Sequence, residues 1–565
     1  MKGLLGVMLL GVSLLFAQGA MAYTHHTSPI QWNEYSDRAF SKAQKESKPI
    51  FMLISAVWCY SCHIYEETLN TKEIVETLNK HFVPVFVDFD RRKDIARTYS
   101  AVGIPVTSIL APNGEHLVSV PGVIAKDTLL TNLQLTLEYI AKEYQPMSSG
   151  PEEKVPLQSV KHPTSALIKF YIDSFDNNMF HGFDLIFGGY GLAQKEPFAD
   201  LLLELLRLEE KGNEKWQEPL QITMDAMLGM TQTVSESKRP SFDRLLTLRE
   251  QQTVHILEVE ELQLQNKLVG IYDHTEGGFF RYATRRDWTV PHFEKMLFEN
   301  AQLIELLLQA SVQYGHERYQ AAAHRSLSYL LENLYSGEDG RFLGSQGADA
   351  VYYHLTATER AKVLPPPVDQ TSYAGASART IITLLKAWQI LEDKYYLASA
   401  TQGADFLAAK MITENGSYSY FDAEEKTGQL SGQLIENAWV AVALLQVYDV
   451  MKTTKYLAAA ERVLTYASEN LYDPQVGGFV SRRGASQQAY RQDERFLKDK
   501  NFNDNGIMAK AMFKAYEMTG NEAYLNMVET TVGYFFNEVM AGKLKAASPE
   551  FHWVAQQMLR MKKYQ

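Results

Sequence analysis

The strongest constraint on the fold is an internal repeat in the C-terminal two-thirds of the chain. The stretch that begins at Glu299 reads E-N-A-Q-L-I-E-L-L-L-Q-A, and the one that begins at Glu436 reads E-N-A-W-V-A-V-A-L-L-Q-V. The same offset of 137 residues, held without gaps, aligns Tyr319 with Tyr456, and a further shift of 68 places Asp504 on Glu436. Since the first offset is about twice the second, the repeat unit is a helix hairpin of roughly 60 to 70 residues.

Each repeat unit carries two helices of different character. The first is apolar nearly all round, which indicates a buried helix, and the second has a polar face, which indicates an outer one. A weaker copy lies between the two strong ones, at residues 372–418. Repeated in a closed circle, such hairpins form an (α/α)6-type toroid, which we predict for residues 166–565. An open solenoid is the alternative.

The repeat also predicts which residues share one end of the toroid. The chain passes from each outer helix back to the next inner helix through a segment that contains a Gly-Phe-like motif, which we call a return. These returns alternate with helix starts that read Glu-Asn or Asp-Asn, so both must lie on the same rim. Glu299, Glu436 and Asp504 are therefore expected to ring the mouth of the central funnel. Helix capping and favourable interaction with the helix dipole would explain the same acidic residues without a binding site.

One return loop, residues 272–300, gathers an unusual number of acids, bases and aromatic residues. Such a mixture suits general acid–base chemistry on a carbohydrate, for which we consider His292, Glu294 and Asp273. An internally satisfied network of ion pairs is the alternative. The pocket candidates in this loop are Asp273, His274, Arg281, Trp288, His292 and Glu294.

Both cysteines of the chain lie in one short stretch near its front, S-A-V-W-C-Y-S-C-H, residues 55–63. A loop as small as the one between Cys59 and Cys62 constrains the unfolded chain little, so a purely stabilising disulfide is a poor explanation. An apolar run at residues 49–54 predicts a buried strand before the pair, and a helix follows it. A thiolate at a helix start is stabilised by unpaired N–H groups, so Cys59 should have a lowered pKa.

The segments around the cysteines follow the order of a thioredoxin fold, and W-C-x-x-C at the strand-to-helix junction resembles the thioredoxin active site. We therefore expect a thioredoxin-like domain over residues 23–145, followed by a linker over 146–165. The resemblance implies that Cys59 attacks, that Cys62 resolves the mixed disulfide, and that the bond before Pro105 is cis.

Other residues near the pair are interpreted by the same resemblance. Trp58 and Pro105 are expected to shape the contact with a partner. Thioredoxins keep a buried aspartate six residues before the first cysteine, where this chain has Leu53. Glu66 could replace it or be a solvated helix carboxylate, and His63 is either a plain helix residue or one that tunes the thiols.

The motif C-Y-S-C-H, residues 59–63, is also compatible with two other types of site. C-x-x-C-H is the attachment motif of c-type haem, but a buried strand before it leaves no room for a macrocycle, and the tryptophan before it has no role there. A zinc site would need a fourth ligand that the sequence does not place. We therefore expect neither a cofactor nor a metal.

The N-terminus predicts export. Lys2 precedes an apolar run from Leu4 to Phe16, and Ala20-Met21-Ala22 offers a cleavage site after Ala22. This is the pattern of a signal peptide, residues 1–22, although a retained anchor is the alternative. No later run is long enough to span a bilayer, and a net charge of −12 without a dense basic patch argues against nucleic-acid binding. We expect a periplasmic or secreted protein.

Taken together, the chain resembles the spermatogenesis-associated protein 20-like family, whose members join a thioredoxin-like domain to a toroid similar to six-hairpin glycosidases. The motifs that carry this resemblance are K-P-I-F, C-Y-S-C-H, V-D-F-D-R-R-K-D-I, Y-D-H-T-E-G-G-F-F-R-Y and V-P-H-F-E-K-M-L-F-E-N-A-Q-L. The family's T-S-W-N-G appears here as Thr371-Ser372-Tyr373-Ala374-Gly375, and its D-D-Y-A as Glu436-Asn437-Ala438-Trp439. A pocket built from those positions would therefore differ.

These features predict an exported thiol–disulfide oxidoreductase. Its partners would be redox proteins held through mixed disulfides, with the toroid selecting a partner or substrate. One alternative is a carbohydrate-processing or sugar-binding toroid with an accessory thioredoxin domain, which makes a carbohydrate a candidate ligand. A non-catalytic scaffold is the other alternative.

Overall fold

The fold is seen in a computed structural model, and the residues it describes are 28–99, 103–142, 144–145, 162–230, 269–482 and 499–565. The predicted signal peptide, residues 1–22, lies outside these ranges, as do residues 146–161 of the predicted linker.

The N-terminal domain is built on a five-stranded sheet in the part of the chain that the structure describes. Its strands are β1 (Asn33–Glu34), β2 (Ile50–Ser55), β3 (Val83–Asp88), β4 (Val106–Leu110) and β5 (His116–Pro121). They lie in the order β1-β3-β2-β4-β5. β1 and β2 run parallel to β3, whereas β4 is antiparallel to both of its neighbours.

Helices cover both faces of this sheet. They are α1 (Asp37–Glu46), α2 (Tyr60–Leu69), α3 (Lys72–His81), α4 (Lys93–Tyr99) and α5 (Lys126–Lys142). Ile50, Met52 and Ile54 of β2 pack with α1 and α4 on one face. Phe51 and Leu53 pack with α2, α3 and α5 on the other. Because successive side chains of a strand point to opposite faces, a strand buried on both sides reads as one continuous apolar run. The predicted thioredoxin-like fold is confirmed.

The C-terminal domain, where the structure describes it, is a ring of six inner helices surrounded by six outer ones. The inner helices are α7 (Ala199–Glu210), α9 (Leu297–Tyr314), α13 (Ala374–Leu391), α15 (Leu434–Met451), α17 (Phe502–Thr519) and α19 (Pro549–Arg560). The outer helices are α6 (Ser165–Gly182), α8 (Gln217–Met227), α10 (Glu317–Asn333), α14 (Lys394–Phe406), α16 (Thr454–Tyr466) and α18 (Glu522–Met540). Two short helices, α11 (Ala350–Tyr353) and α12 (Ala357–Arg360), lie in a connection.

The ring is closed. Each inner helix packs against the next one, and α19 packs against α7. The predicted toroid is therefore confirmed, and the open solenoid is wrong. Closure also explains the apolar character of α15, which is the one helix in the described residues long and apolar enough to cross a membrane, yet is 67% buried inside the protein.

The predicted common rim is confirmed by hydrogen bonds that join helix starts to returns. Asn300, in the first turns of α9, accepts the N–H of Phe279 at 2.6 Å and donates to the carbonyl of Phe279 at 3.0 Å. Asn505 of α17 makes the same two bonds to Phe479, at 2.7 and 2.9 Å. The asparagine of the repeat therefore satisfies the buried backbone of the Gly-Phe return.

Candidate active site

The two cysteines lie where β2 ends and α2 begins. Cys59 is the N-cap of α2, and its Sγ is bonded to Cys62 Sγ, with 5.2 Å between the two Cα atoms. The backbone N–H of Cys62 points at Cys59 Sγ from 3.2 Å. The sulfur therefore sits among the unpaired N–H groups of a helix start, which is the position that stabilises a thiolate.

Pro105 comes next to the disulfide from the loop before β4. The Ile104–Pro105 bond is cis, as predicted, and the carbonyl oxygen of Ile104 lies 4.0 Å from Cys59 Sγ. The strand that follows pairs with β2, so the sheet itself fixes this loop beside the cysteines.

The toroid covers the disulfide. Cys59 is 4% exposed and Cys62 is 1% exposed. Their sulfurs belong to a small apolar cluster with Ala56, Val57 and Trp58 that is completed by Met296, the residue before inner helix α9 of the toroid. A partner protein therefore has no direct path to the sulfurs while the two domains are in contact. This role of Met296 could not be predicted from the sequence, because a methionine beside a buried helix is an ordinary core residue.

Trp58 is held from both domains. Its indole Nε1 donates to the carboxylate of Asp90, and the Arg281 guanidinium of the toroid lies over the ring at 4.4 Å from its centroid. Burial raises the pKa of Asp90 to about 7, and the neighbouring Asp88 adds to the rise. A cation over an indole face is attractive, so this contact ties the redox motif to the return loop of the toroid.

Charged side chains around α4 dock the thioredoxin-like domain on the toroid rim. Lys93 lies 3.7 Å from Glu436, and Arg97 lies 2.7 Å from Asp504. Two of the three predicted rim acids are thus paired with the neighbouring domain.

Two more ion pairs extend this interface. Arg91 lies 3.3 Å from Asp422, and Arg482 of the toroid lies 2.7 Å from Asp94. In three of the four pairs the thioredoxin-like domain supplies the cation, and in the fourth it supplies the anion. Each domain therefore presents both cations and anions to its neighbour. Such complementarity fixes orientation and register more than it adds affinity.

A cavity of about 340 Å³ remains between the domains at the rim. Its walls include Asp90, Lys93, Arg97, Ser419, Glu436 and Asp504. The third rim acid, Glu299, is half-buried, and burial raises its pKa although Arg281 and Lys93 oppose the rise. The rim is therefore primarily a docking surface for the other domain.

His292 and Glu294 form a pair in the return loop. The His292 ring stacks on Tyr282 with 4.4 Å between centroids, and its Nδ1 lies 3.4 Å from a Glu294 carboxylate oxygen. Burial opposes ionisation of Glu294, but His292 and Arg281 outweigh it and hold the pKa of that carboxyl below its usual value.

Asp273, His274 and Trp288 hold the returns together. Asp273 binds the Arg360 guanidinium at 2.7 Å, His274 Nε2 lies 3.0 Å from the carbonyl oxygen of Leu228, and the buried Trp288 donates to a backbone carbonyl at 2.8 Å. The structure thus places these three among packing contacts and does not bring them to the rim cavity.

Asp273 also belongs to a repeat that sequence reasoning missed. Three of the returns contain Gly-Gly, and in each of them the ammonium of a lysine makes two hydrogen bonds. One goes to the carboxylate of an earlier aspartate. The other goes to the backbone carbonyl of the first glycine, four residues after that aspartate. The pairs are Lys195–Asp184, Lys295–Asp273 and Lys500–Asp473, at 2.8, 2.8 and 2.9 Å. An unpaired buried charge is costly, so the repeat needs both partners.

His63 and Glu66 lie on the first turns of α2, beside the disulfide. His63 Nε2 lies 2.9 Å from the Val57 carbonyl oxygen, and its Nδ1 lies 3.7 Å from Glu66. Glu66 also accepts from the Ser55 hydroxyl at 3.4 Å, at the end of β2. Within the described ranges, no group of three or more His, Cys, Asp or Glu side chains is placed to hold a metal ion.

Comparison with known proteins agrees with this arrangement. A family model described as Thioredox_DsbH, Protein of unknown function, DUF255, matches residues 13–146. The chain is similar to spermatogenesis-associated protein 20 of Homo sapiens, with 29% identity over 388 residues, and of Rattus norvegicus, with 27% identity over 413 residues. The matches cover 61% and 66% of this chain but 43% and 46% of those relatives, so the chain spans less than half of their length.

The toroid has counterparts among solved structures. A crystal structure of D-mannose isomerase superposes with a TM-score of 0.51 at 11% identity, covering 73% of this chain and all of that one. Cellobiose 2-epimerase from Spirochaeta thermophila DSM 6192 superposes with a TM-score of 0.50 at 13% identity, covering 70% of this chain and 95% of that one. At such identities the likeness concerns the fold alone.

Proposed function

We propose that this protein is an exported thiol–disulfide oxidoreductase whose toroid covers the redox-active pair. The observation that carries the proposal is the position of the Cys59–Cys62 disulfide at the start of α2, beside the cis bond before Pro105. Helix N–H groups favour the thiolate that thiol–disulfide exchange requires.

The exchange starts from the oxidised state, in which Cys59 and Cys62 form a disulfide. A partner thiolate attacks Cys59 Sγ, a mixed disulfide forms, and the Cys59–Cys62 bond breaks with its electron pair on Cys62 sulfur, which takes up a proton. A second thiolate of the partner then attacks the partner sulfur of the mixed disulfide and releases Cys59 as a thiolate. The partner loses two electrons to become a disulfide, and the cysteine pair gains them.

The cover over the disulfide makes access part of the function. Met296 and Arg281 contact the redox motif, and the ion pairs around α4 hold the domain in place. We infer that a partner gains access when it displaces the thioredoxin-like domain from the rim. The toroid would then act as a selector, because only a partner that offsets these contacts could reach Cys59.

The carbohydrate alternative is less well supported at the rim. Glu436 and Asp504 would have to serve as free acid–base groups, but they are engaged by Lys93 and Arg97. A sugar bound there would compete with the docking of the other domain.

Trapping of partners tests the redox function. In Cys62→Ser, the Cys59 thiolate can still attack a partner disulfide, the reverse of the exchange above, but no Cys62 thiolate remains to displace the partner. Partners should therefore accumulate as mixed disulfides on Cys59 and be released by reductant. Cys59→Ser is the matched control and should trap nothing. Equal capture by both variants, or none by Cys62→Ser, would show that the pair does not exchange with protein partners.

Export is tested on the expressed full chain. We expect the protein in the periplasmic fraction or the medium, with an N-terminus that begins after Ala22. A cytoplasmic protein that retains Met1 would remove this part of the proposal and leave the redox chemistry to be judged by trapping.

A further inference from the structure

A second cavity lies inside the toroid, deeper than the rim. Its volume is about 130 Å³. Each inner helix contributes to its wall, and representative residues are Asp200, Glu305, Arg379, Gln446, Lys514 and Glu550. Gln446 and Lys514 lie ten residues beyond Glu436 and Asp504 on the same helices, or about 15 Å along the helix axis. The cavity shares no lining residue with the cavity between the domains.

Part of its wall is a closed network of ion pairs. Arg379 binds Asp200 at 3.0 Å and Glu305 at 2.6 Å, and Arg207 binds Glu204 at 3.0 Å. These charges satisfy one another, so they form a rigid polar wall rather than free binding groups.

Two other polar groups in the same cavity have no side-chain partner in the part of the chain that the structure describes. Glu550 is 7% exposed, and among the described residues its carboxylate has no ion-pair partner and no side-chain hydrogen bond. The amide oxygen Oε1 of Gln446 is buried without a hydrogen bond. A buried acceptor without a partner destabilises the protein, and a ligand that donates a hydrogen bond to it would remove that cost.

Two lysines face the cavity one helical turn apart. Lys510 and Lys514 line it together, and no described carboxylate lies within ion-pair distance of either ammonium. Their ammonium groups lie 5.7 and 5.4 Å from the ring centroid of Trp553, which also lines the cavity, as does Trp439. Burial, followed by the charge of Lys510, lowers the pKa of Lys514 to about 8. An anion between the two lysines would relieve their repulsion.

We propose that this cavity binds a small hydroxylated anion of about three to six carbons, a carboxylate or a phosphate ester. Its anionic group would lie on Lys510 and Lys514. Its hydroxyl groups would donate to Gln446 Oε1 and to Glu550. Its carbon skeleton would pack on the indole faces of Trp439 and Trp553. This site does not depend on the redox proposal, since none of its residues contacts the cysteines.

Calorimetric titration of the purified protein tests the site. The probes are glycerate and glycerol 3-phosphate, with neutral glycerol and inorganic phosphate for comparison. We expect saturable binding of at least one hydroxylated anion, at least tenfold tighter than glycerol. Comparison of glycerate with glycerol 3-phosphate identifies the anionic group that the site prefers. Tighter binding of glycerol 3-phosphate than of inorganic phosphate shows that the hydroxyl groups contribute.

Matched variants locate the binding. Lys510→Met and Lys514→Met should each weaken binding at least tenfold, whereas Lys169→Met, on the exposed surface of α6, should leave it unchanged. Gln446→Leu should narrow the preference for glycerol 3-phosphate over inorganic phosphate. Each lysine variant loses a cation–π contact with Trp553, and Lys510→Met also removes a positive charge that favours ionised Glu550. We expect a small fall in melting temperature, and circular dichroism checks that each variant is folded. Absence of saturable binding, equal affinity for glycerol, or unchanged affinity in both lysine variants would each overturn the proposal.

Discussion

At the scale of single residues, the redox motif combines a local signal with contacts that only the fold supplies. Cys59, Cys62 and Pro105 meet where β2 ends and α2 begins. Asp90 contacts the motif from the loop after β3, and Met296 contacts it from the toroid. The surroundings of the disulfide are therefore built by both domains.

Asp90 predicts a pH dependence of stability. Its folded pKa of about 7 lies above the unfolded value, so the unfolded chain gives up its proton first as pH rises. The stability that protonated Asp90 contributes to the folded state is fully present below about pH 4 and is lost as the pH rises to about 7. Asp90→Asn keeps an acceptor for Trp58 without this charge. We expect the variant to lose less stability than the wild type between pH 5 and pH 8, by on the order of 1–3 kcal/mol in urea unfolding. Parallel pH profiles for the two proteins would contradict this.

Cys59, Cys62 and Pro105 could be predicted because a short motif at a strand-to-helix junction specifies their surroundings. Asp90 and Met296 could not be predicted, although both contact the motif. Asp90 lies in a run of charged residues typical of a solvated turn, and Met296 resembles an ordinary core residue.

At the scale of elements, the hairpin repeat determined most of what could be predicted. An inner helix apolar on every side and an outer helix with one polar face are local patterns, so the toroid follows from them. The Asp–Lys pairs of the returns were missed, because Asp273 and Lys295 are 22 residues apart in a loop and carry no periodicity.

Asn300 is expected to be a key residue of a return. Its side chain bonds the N–H and carbonyl of Phe279 and also the carbonyl of Met296 at 2.8 Å. Asn300→Ala would leave a buried N–H unpaired and should cost about 2–4 kcal/mol in the free energy of unfolding. The control is Asn177→Ala on the exposed surface of α6, for which we expect a change within about 0.5 kcal/mol. Equal effects of the two substitutions would refute the role of Asn300.

At the scale of the whole molecule, the thioredoxin-like domain closes the mouth of the toroid. This could not be predicted, because the partners of α4 lie about 300 to 400 residues away and a charged short helix is usually solvated. Glu436 and Asp504 were correctly placed on the rim, but the sequence did not show that the cations of the other domain meet them there.

The docking ion pairs predict how fast the disulfide reacts. Arg97→Glu would set a carboxylate against the buried Asp504 and should loosen the interface. We expect reduction by dithiothreitol to be at least tenfold faster than in the wild type. Arg38→Glu, on the exposed surface of α1, should have no such effect.

The reciprocal exchange completes this test. Arg97→Asp combined with Asp504→Arg restores opposite charges and should return the reduction rate toward the wild-type value. If Arg97→Glu leaves the rate unchanged, docking does not limit access to the cysteines.

The central claim is that the start of α2 makes the Cys59 sulfur a ready thiolate. In Cys62→Ser, Cys59 is the only thiol of the chain, so its alkylation by iodoacetamide can be followed as a function of pH. Cover by the toroid would slow the reaction at every pH and, by removing water from the sulfur, would oppose the lowering of the pKa that the helix start produces. A midpoint well below pH 8 is the predicted result, and a midpoint at or above 8.5 would contradict it.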